Sequence, residues 1–104
     1  MSFSGEVHGQ VDEAQWVARA RQGDNAAWLG LVTQYQEAVF RLAYLILRDA
    51  DEAEDVAQET FVRAFRSLGR FDSSRPLRPW LLTIAANLAR NRRRAIGRYL
   101  AAAR

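Results

Sequence analysis

The chain has 104 residues, is 49% hydrophobic and carries a net charge of +3; it contains no cysteine and one histidine, His8. That size and apolar fraction allow one compact domain with a modest core, while the cysteine and histidine counts exclude disulfides and Cys-based zinc sites and leave no pair for a histidine metal site. No apolar run approaches the ~18 residues a membrane span needs, and the N-terminal MSFSGEVHGQ lacks the apolar core of a signal peptide, so a cytoplasmic protein is expected.

The distribution of charge is more informative than its sum. Residues 1–72 hold 7 Arg and 12 acids, a net of −5, whereas residues 73–104 hold 8 Arg and no acid. This polarity predicts two surfaces with different partners. All 15 basic residues are Arg, which favours planar, bidentate contacts, although a coding bias toward Arg explains it equally well.

In chain order, residues 1–10 read as a disordered leader. Asp12 can cap a helix at about 13–22 that carries Trp16, Val17 and Ala20 inward and ends at Gly23. Asp24 or Asn25 caps the next helix, with the stripe Trp28, Leu31, Val32, Tyr35, Val39, Leu42, Ala43 and Ile46. Phe40, Tyr44, Leu45 and Leu47 widen its apolar face, which predicts the centre of a bundle, with a kink near Gln34–Glu37. After a short link, Asp49 or Asp51 caps a helix that reaches about Leu68 and stops at Gly69. Its buried stripe is Ala53, Val56, Ala57, Thr60, Phe61, Ala64, Phe65 and Leu68. The opposite face carries acids in the first turns and Arg in the last, as the helix dipole prefers. The dipole does not account for the exposed pair Gln58–Glu59 beside Val62, a mixed patch of the kind found at interfaces.

The loop GRFDSSR, residues 69–75, offers Phe71 and short polar side chains that can hold a ligand or simply connect two helices with Phe71 in the core. A last helix follows, opened by Pro76 and Pro79 with Ser73 or Ser74 as N-cap, and running to about Gly97. Leu77, Leu81, Ile84, Leu88 and Ala95 form its apolar stripe. Trp80, Thr83, Asn87, Arg90, Asn91, Arg94 and Arg98 form a second stripe, within an arc of about 100°. Guanidiniums pair with phosphates, Asn can read a base edge and an aromatic can stack on an unpaired base. The competing reading is a solvated basic helix, with an acidic partner or a membrane surface as lesser options.

No strand-like alternation appears, so an all-α bundle of four to five helices is expected, monomeric, with Phe40, Leu42, Ile46, Phe61, Phe65, Leu81, Ile84 and Leu88 largely buried. There is no glycine-rich phosphate loop, no nucleophile–base pair and no cofactor motif, and no His or Cys completes a metal site from the acids at 49–59. An enzyme is not expected.

Taken together, the order DADEAEDVAQETFVRAFRSL, GRFDSSRP, RPWLLTIAANLARNRRR resembles region two of bacterial sigma factors of the extracytoplasmic-function group, over roughly residues 12–97. The most specific pieces are Asp55-x-x-Gln58-Glu59-x-Phe61 and Trp80-Leu81-x-x-Ile84-Ala85-x-Asn87. The resemblance implies a domain at residues 11–97 that docks through Asp55, Gln58, Glu59 and Val62 on the clamp coiled coil of the large subunit of core RNA polymerase. It implies that the helix from Trp80 faces the promoter −10 element as non-template strand. Asn87, Arg90 and Asn91 would contact its upstream part, with Arg78, Thr83, Arg93 and Arg94 beside them. Phe71, Asp72, Ser73 and Ser74 would hold one flipped base. An anti-sigma factor is a further expected partner.

Two departures stand out. Housekeeping sigma factors place adjacent aromatics at the duplex wedge, whereas Trp80 here is followed by Leu81, so melting is expected to depend more on base capture by the loop. Full-length members also carry a second, C-terminal DNA-binding domain. Residues 98–104 are therefore expected to begin the linker to that domain, in a chain that has been truncated. The alternative is a basic helical module that binds nucleic acid without polymerase. It has no need for the Asp55–Glu59 face.

Overall fold

Helix boundaries in this chain are set by short polar side chains, two backbone reversals and one acid borrowed from elsewhere. The computed structural model describes residues 13–104. The elements are α1 (Glu13–Arg21), α2 (Asn25–Leu47), α3 (Ala50–Ser67), a 3-10 turn (Leu68–Arg70) and α4 (Leu77–Ala103). Among the described residues there is no strand. The expected leader and the cap at Asp12 lie outside these residues.

Gly23, at φ +94°, reverses the chain after α1, a conformation glycine adopts without a Cβ penalty. Asp24 caps α2, its Oδ1 accepting the Ala27 N–H at 3.2 Å. Asp49 does the same for α3, accepting the Glu52 N–H at 2.9 Å. Between them Arg48 takes the left-handed conformation, φ 57°, and its N–H closes α2 on the Tyr44 carbonyl. α2 is helical throughout, Gln34–Glu37 included.

Three expected boundaries differ. Gly69 is not a left-handed stop; α3 tightens through it into the 3-10 turn. Neither Ser73 nor Ser74 caps α4, because Pro76 occupies the cap position and brings no side-chain acceptor. The Leu77 N–H donates instead to Glu13 Oε2 at 2.9 Å, across from α1. α4 also continues past Gly97 to Ala103.

α2 packs on each of the other three helices and forms the centre of the bundle. Leu31, Leu77, Leu81, Val17, Val39 and Val56 are fully buried, with Thr60, whose hydroxyl donates to the Val56 carbonyl at 2.7 Å. The seam of α4 is Leu77, Leu81, Ala85 and Ala89, a strict i+4 row. The small alanines let the helix backbones approach, so Ile84 and Leu88 are only half-buried beside them and Ala95 is exposed. Of the eight residues expected in the core, Phe61 and Leu81 are buried and Phe40, Leu42, Ile46, Ile84 and Leu88 are half-buried. Phe65 is 48% exposed, at the bundle edge against Trp28, ring centroids 5.3 Å apart. α1 crosses α2 where Gly30 removes a side chain: a Cβ there would lie 2.7 Å from Trp16 Cζ3.

Candidate functional site

The loop between α3 and α4 is organised by Asp72. Its Oδ1 accepts the Ser74 N–H at 3.0 Å and the Ser74 hydroxyl at 2.6 Å, and Arg75 Nε lies 3.6 Å from Oδ2. The Ser74 hydroxyl and N–H, followed by the charges of Arg75 and Arg21, hold the Asp72 carboxyl below the usual carboxylate range. Ser74 therefore shapes the loop from within, and Ser73 is exposed.

Phe71 is buried, its ring tilted 40° against that of Trp80 with centroids 4.7 Å apart. It is the wall of a cleft and not an exposed stacking platform. That cleft, about 540 Å³, lies between Arg70, Phe71, Asp72 and Arg75 on one side and Pro76, Pro79, Trp80 and Thr83 on the other. The volume is in the range that encloses small planar ligands. An aromatic back wall, a fixed carboxylate and two guanidiniums at the rim suit a flat, hydrogen-bonding ring attached to a phosphate.

From Trp80 and Thr83 the same face of α4 continues through Asn87, Arg90, Asn91 and Arg94, all exposed. The structure joins them in pairs. Arg90 Nη2 donates to Asn87 Oδ1 at 2.8 Å, and Arg94 donates to Asn91 Oδ1. Each amide oxygen is thus occupied by a guanidinium, which leaves the amide NH₂ as the outward donor. Each pair presents mostly donors, which match phosphate oxygens and the acceptor edges of bases. Arg78 and Arg93 are exposed on neighbouring positions. Arg92 points elsewhere: it pairs with Glu52 and lies 4.0 Å from Asp55, tying α4 to α3.

The second surface is on α3. Asp55, Gln58, Glu59 and Val62 are all exposed and share one face. Glu59 carries the i+4 partner Arg63 at 3.1 Å, and Gln58 opens onto a groove of about 640 Å³ between α2 and α3. Trp28 and Phe61 are common to that groove and to an adjoining cleft edged by Val62 and Phe65. Leu29, Val62 and Phe65 are 61%, 43% and 48% exposed. Sequence reasoning had placed Phe65 in the core and had not singled out Leu29. The spacing Gln58, Val62, Phe65 was a legible signal, since positions i, i+4 and i+7 share a helix face.

Comparisons with known proteins bear on the family and the fold. Residues 31–99 match the family model described as Sigma-70 region 2. The RNA polymerase sigma-H factor of Pseudomonas aeruginosa is 42% identical over 89 residues, covering 86% of this chain and 46% of that protein. The ECF RNA polymerase sigma factor SigW of Bacillus subtilis is 37% identical over 76 residues, covering 73% of this chain and 41% of that protein. The chain thus spans less than half the length of these curated relatives. A solved structure of an engineered region 2 of sigmaE in complex with GTAAAA matches with a TM-score of 0.78 at 39% identity, covering 85% of this chain and 92% of that one. With a family model that spans most of its helices, and relatives alike in sequence and in fold, the chain belongs to the Sigma-70 region 2 family.

Proposed function

We propose that this domain is a non-catalytic initiation factor module that docks on core RNA polymerase and reads the promoter −10 element as non-template single strand. The observation that carries the reading is the continuity of one surface. The Phe71–Trp80 cleft reaches Thr83 on α4, and the two Asn–Arg pairs follow on the same helix face, the first of them one turn further on. A strand laid along α4 places its backbone against guanidiniums and delivers one extruded base to the cleft. Unstacking a base costs a few kcal/mol, which an aromatic, hydrogen-bonding pocket recovers. The likeness to a sigmaE region 2 bound to GTAAAA supports a short single strand as ligand.

The Asp55, Gln58, Glu59 and Val62 face, extended by Leu29 and Phe65, fits the polymerase clamp coiled coil, because its mix of acids, an amide and exposed apolar groups matches neither solvent nor phosphate. A free-standing nucleic-acid binder has no use for it. An anti-sigma factor would act by covering one of the two surfaces. Residues 11–97 make up the functional unit, and residues 98–103 are the exposed end of α4. Among the described residues no helix is long and apolar enough to cross a membrane.

The test is binding of non-template oligonucleotides, each with one substitution, at two salt concentrations. Exchanging residues 71–74 for those of another sigma factor is expected to change the preferred base at one position. Arg93→Ala with Arg94→Ala is expected to weaken every oligonucleotide about equally and to flatten the salt dependence by roughly one to two units of slope. A loop exchange that lowers all affinities without changing any base preference contradicts base capture by the loop.

A further inference from the structure

The first helix does not line the cleft, yet two of its side chains hold both of the cleft's walls. Arg21, at the last position of α1, donates from Nε to the Leu68 carbonyl at 2.9 Å and from Nη2 to the Phe71 carbonyl. The Leu68 carbonyl also accepts the Phe71 N–H at 3.2 Å, closing the 3-10 turn, and the Phe71 carbonyl lies just past the turn; only a fork of fixed donors reaches both carbonyls at once. Glu13, at the first position of α1, accepts the Leu77 N–H at the start of α4 through Oε2 and the Tyr35 hydroxyl through Oε1. A carboxylate at that N-terminus is also favoured by the helix dipole. The two residues stand about 12 Å apart along α1. One wall of the cleft, Arg70 to Asp72, follows directly on the carbonyls that Arg21 holds. The other, Pro76 to Trp80, surrounds the N–H that Glu13 holds.

We infer that Arg21 and Glu13 are positioning residues for recognition of the extruded base: α1 is a brace that sets the width of the Phe71–Trp80 cleft. The inference rests on the base-capture reading above. It assigns no contact between α1 and DNA. Loss of either brace therefore blurs discrimination among bases at the captured position, and leaves contacts along α4 as they were.

The experiment compares the parent chain with Arg21→Ala, Arg21→Lys and Glu13→Ala on oligonucleotides carrying each of the four bases, or an abasic site, at the captured position. Thermal melts run alongside. Arg21→Ala is expected to reduce the affinity ratio between the preferred base and the others about tenfold, with binding of the abasic oligonucleotide unchanged. Arg21→Lys, which can hold one carbonyl at a time, is expected to fall between the two, and it carries the same test should the alanine variant not fold. Glu13→Ala is expected to lower the ratio independently. A parental ratio in Arg21→Lys and Glu13→Ala, or an equal loss on every oligonucleotide including the abasic one, overturns the inference. If the parent itself shows no base ratio at any position, base capture fails and the brace with it. A parent ratio that survives in the variants refutes the brace alone.

Discussion

Asp72 shows how a single loop residue can be mistaken for a ligand contact and still matter to the ligand. Its carboxylate is spent on Ser74 and Arg75, so the short polar side chains read from the sequence as base contacts are, in part, the scaffold of the cleft. The pH dependence follows from the sign of the shift. Hydrogen bonds from Ser74, ahead of the nearby arginines, lower the Asp72 pKa from 3.8. A depressed folded value means that the loop contact is fully present above pH 3.8 and is lost as pH falls through the folded value. The Ser74 amide proton is therefore expected to titrate with a midpoint below 3.8; a midpoint at or above it contradicts the assigned hydrogen bonds. Gly30 makes a different kind of prediction. Alanine there gains about 1 kcal/mol of helix propensity, but its Cβ would meet the Trp16 indole at 2.7 Å, and overpacking of a stiff ring costs about 1–3 kcal/mol. The expected net is a loss of about 1 kcal/mol and a melting temperature lower by several degrees. A Gly30→Ala chain that melts higher than the parent contradicts the close crossing of α1 and α2.

The helices were more legible than their seams. Asp24, Asp49 and Gly23 announce three boundaries by chemistry that acts within four residues, and such signals survive in a bare sequence. The cap of α4 does not, because Glu13 and Leu77 are 64 positions apart. The same holds for Arg92, whose pairing with Glu52 removes it from the basic face. The buried row of α4 falls on Ala85 and Ala89, not on Ile84 and Leu88, because close helix packing selects small side chains and hydrophobicity alone selects large ones. On α3, period and apolarity place Phe61 correctly but not Phe65, which is one turn beyond and packs on Trp28 at the start of α2 while staying 48% exposed. This difference is measurable. Phe61→Ala is expected to cost about 3–5 kcal/mol, a large part of a small domain's stability. Phe65→Ala, about half exposed, is expected to cost about 1 kcal/mol and to weaken polymerase binding instead. Urea melts in which the two substitutions destabilise equally would contradict the placement of Phe65 at the surface.

At the scale of the molecule, the charge asymmetry of the sequence becomes a division of surfaces. The acid-rich segment folds so that some of its carboxylates cap helices or pair with Arg92, and what remains outward on α3 is a mixed polar and apolar face. The arginine-rich segment becomes one edge of α4, drawn out along a bundle of 58 × 29 × 21 Å. The sequence disclosed both faces and their residue types, since each is a helical stripe. It did not disclose the cleft that joins the loop to α4, which depends on α1 packing from the far end of the chain. In the proposed function, polymerase docking and strand recognition occupy separate faces of one rigid domain. The most direct test of this separation is Gln58→Ala combined with Glu59→Arg, measured for binding to core RNA polymerase and, in parallel, to a −10 non-template oligonucleotide. The lost Glu59–Arg63 pair is exposed and worth only about 0.3–0.5 kcal/mol, so the fold should persist. The expected result is polymerase affinity reduced by about tenfold or more, as for loss of a central interface contact, with oligonucleotide binding unchanged. Parental affinity for the polymerase, or loss of both activities together in a folded protein, would contradict it.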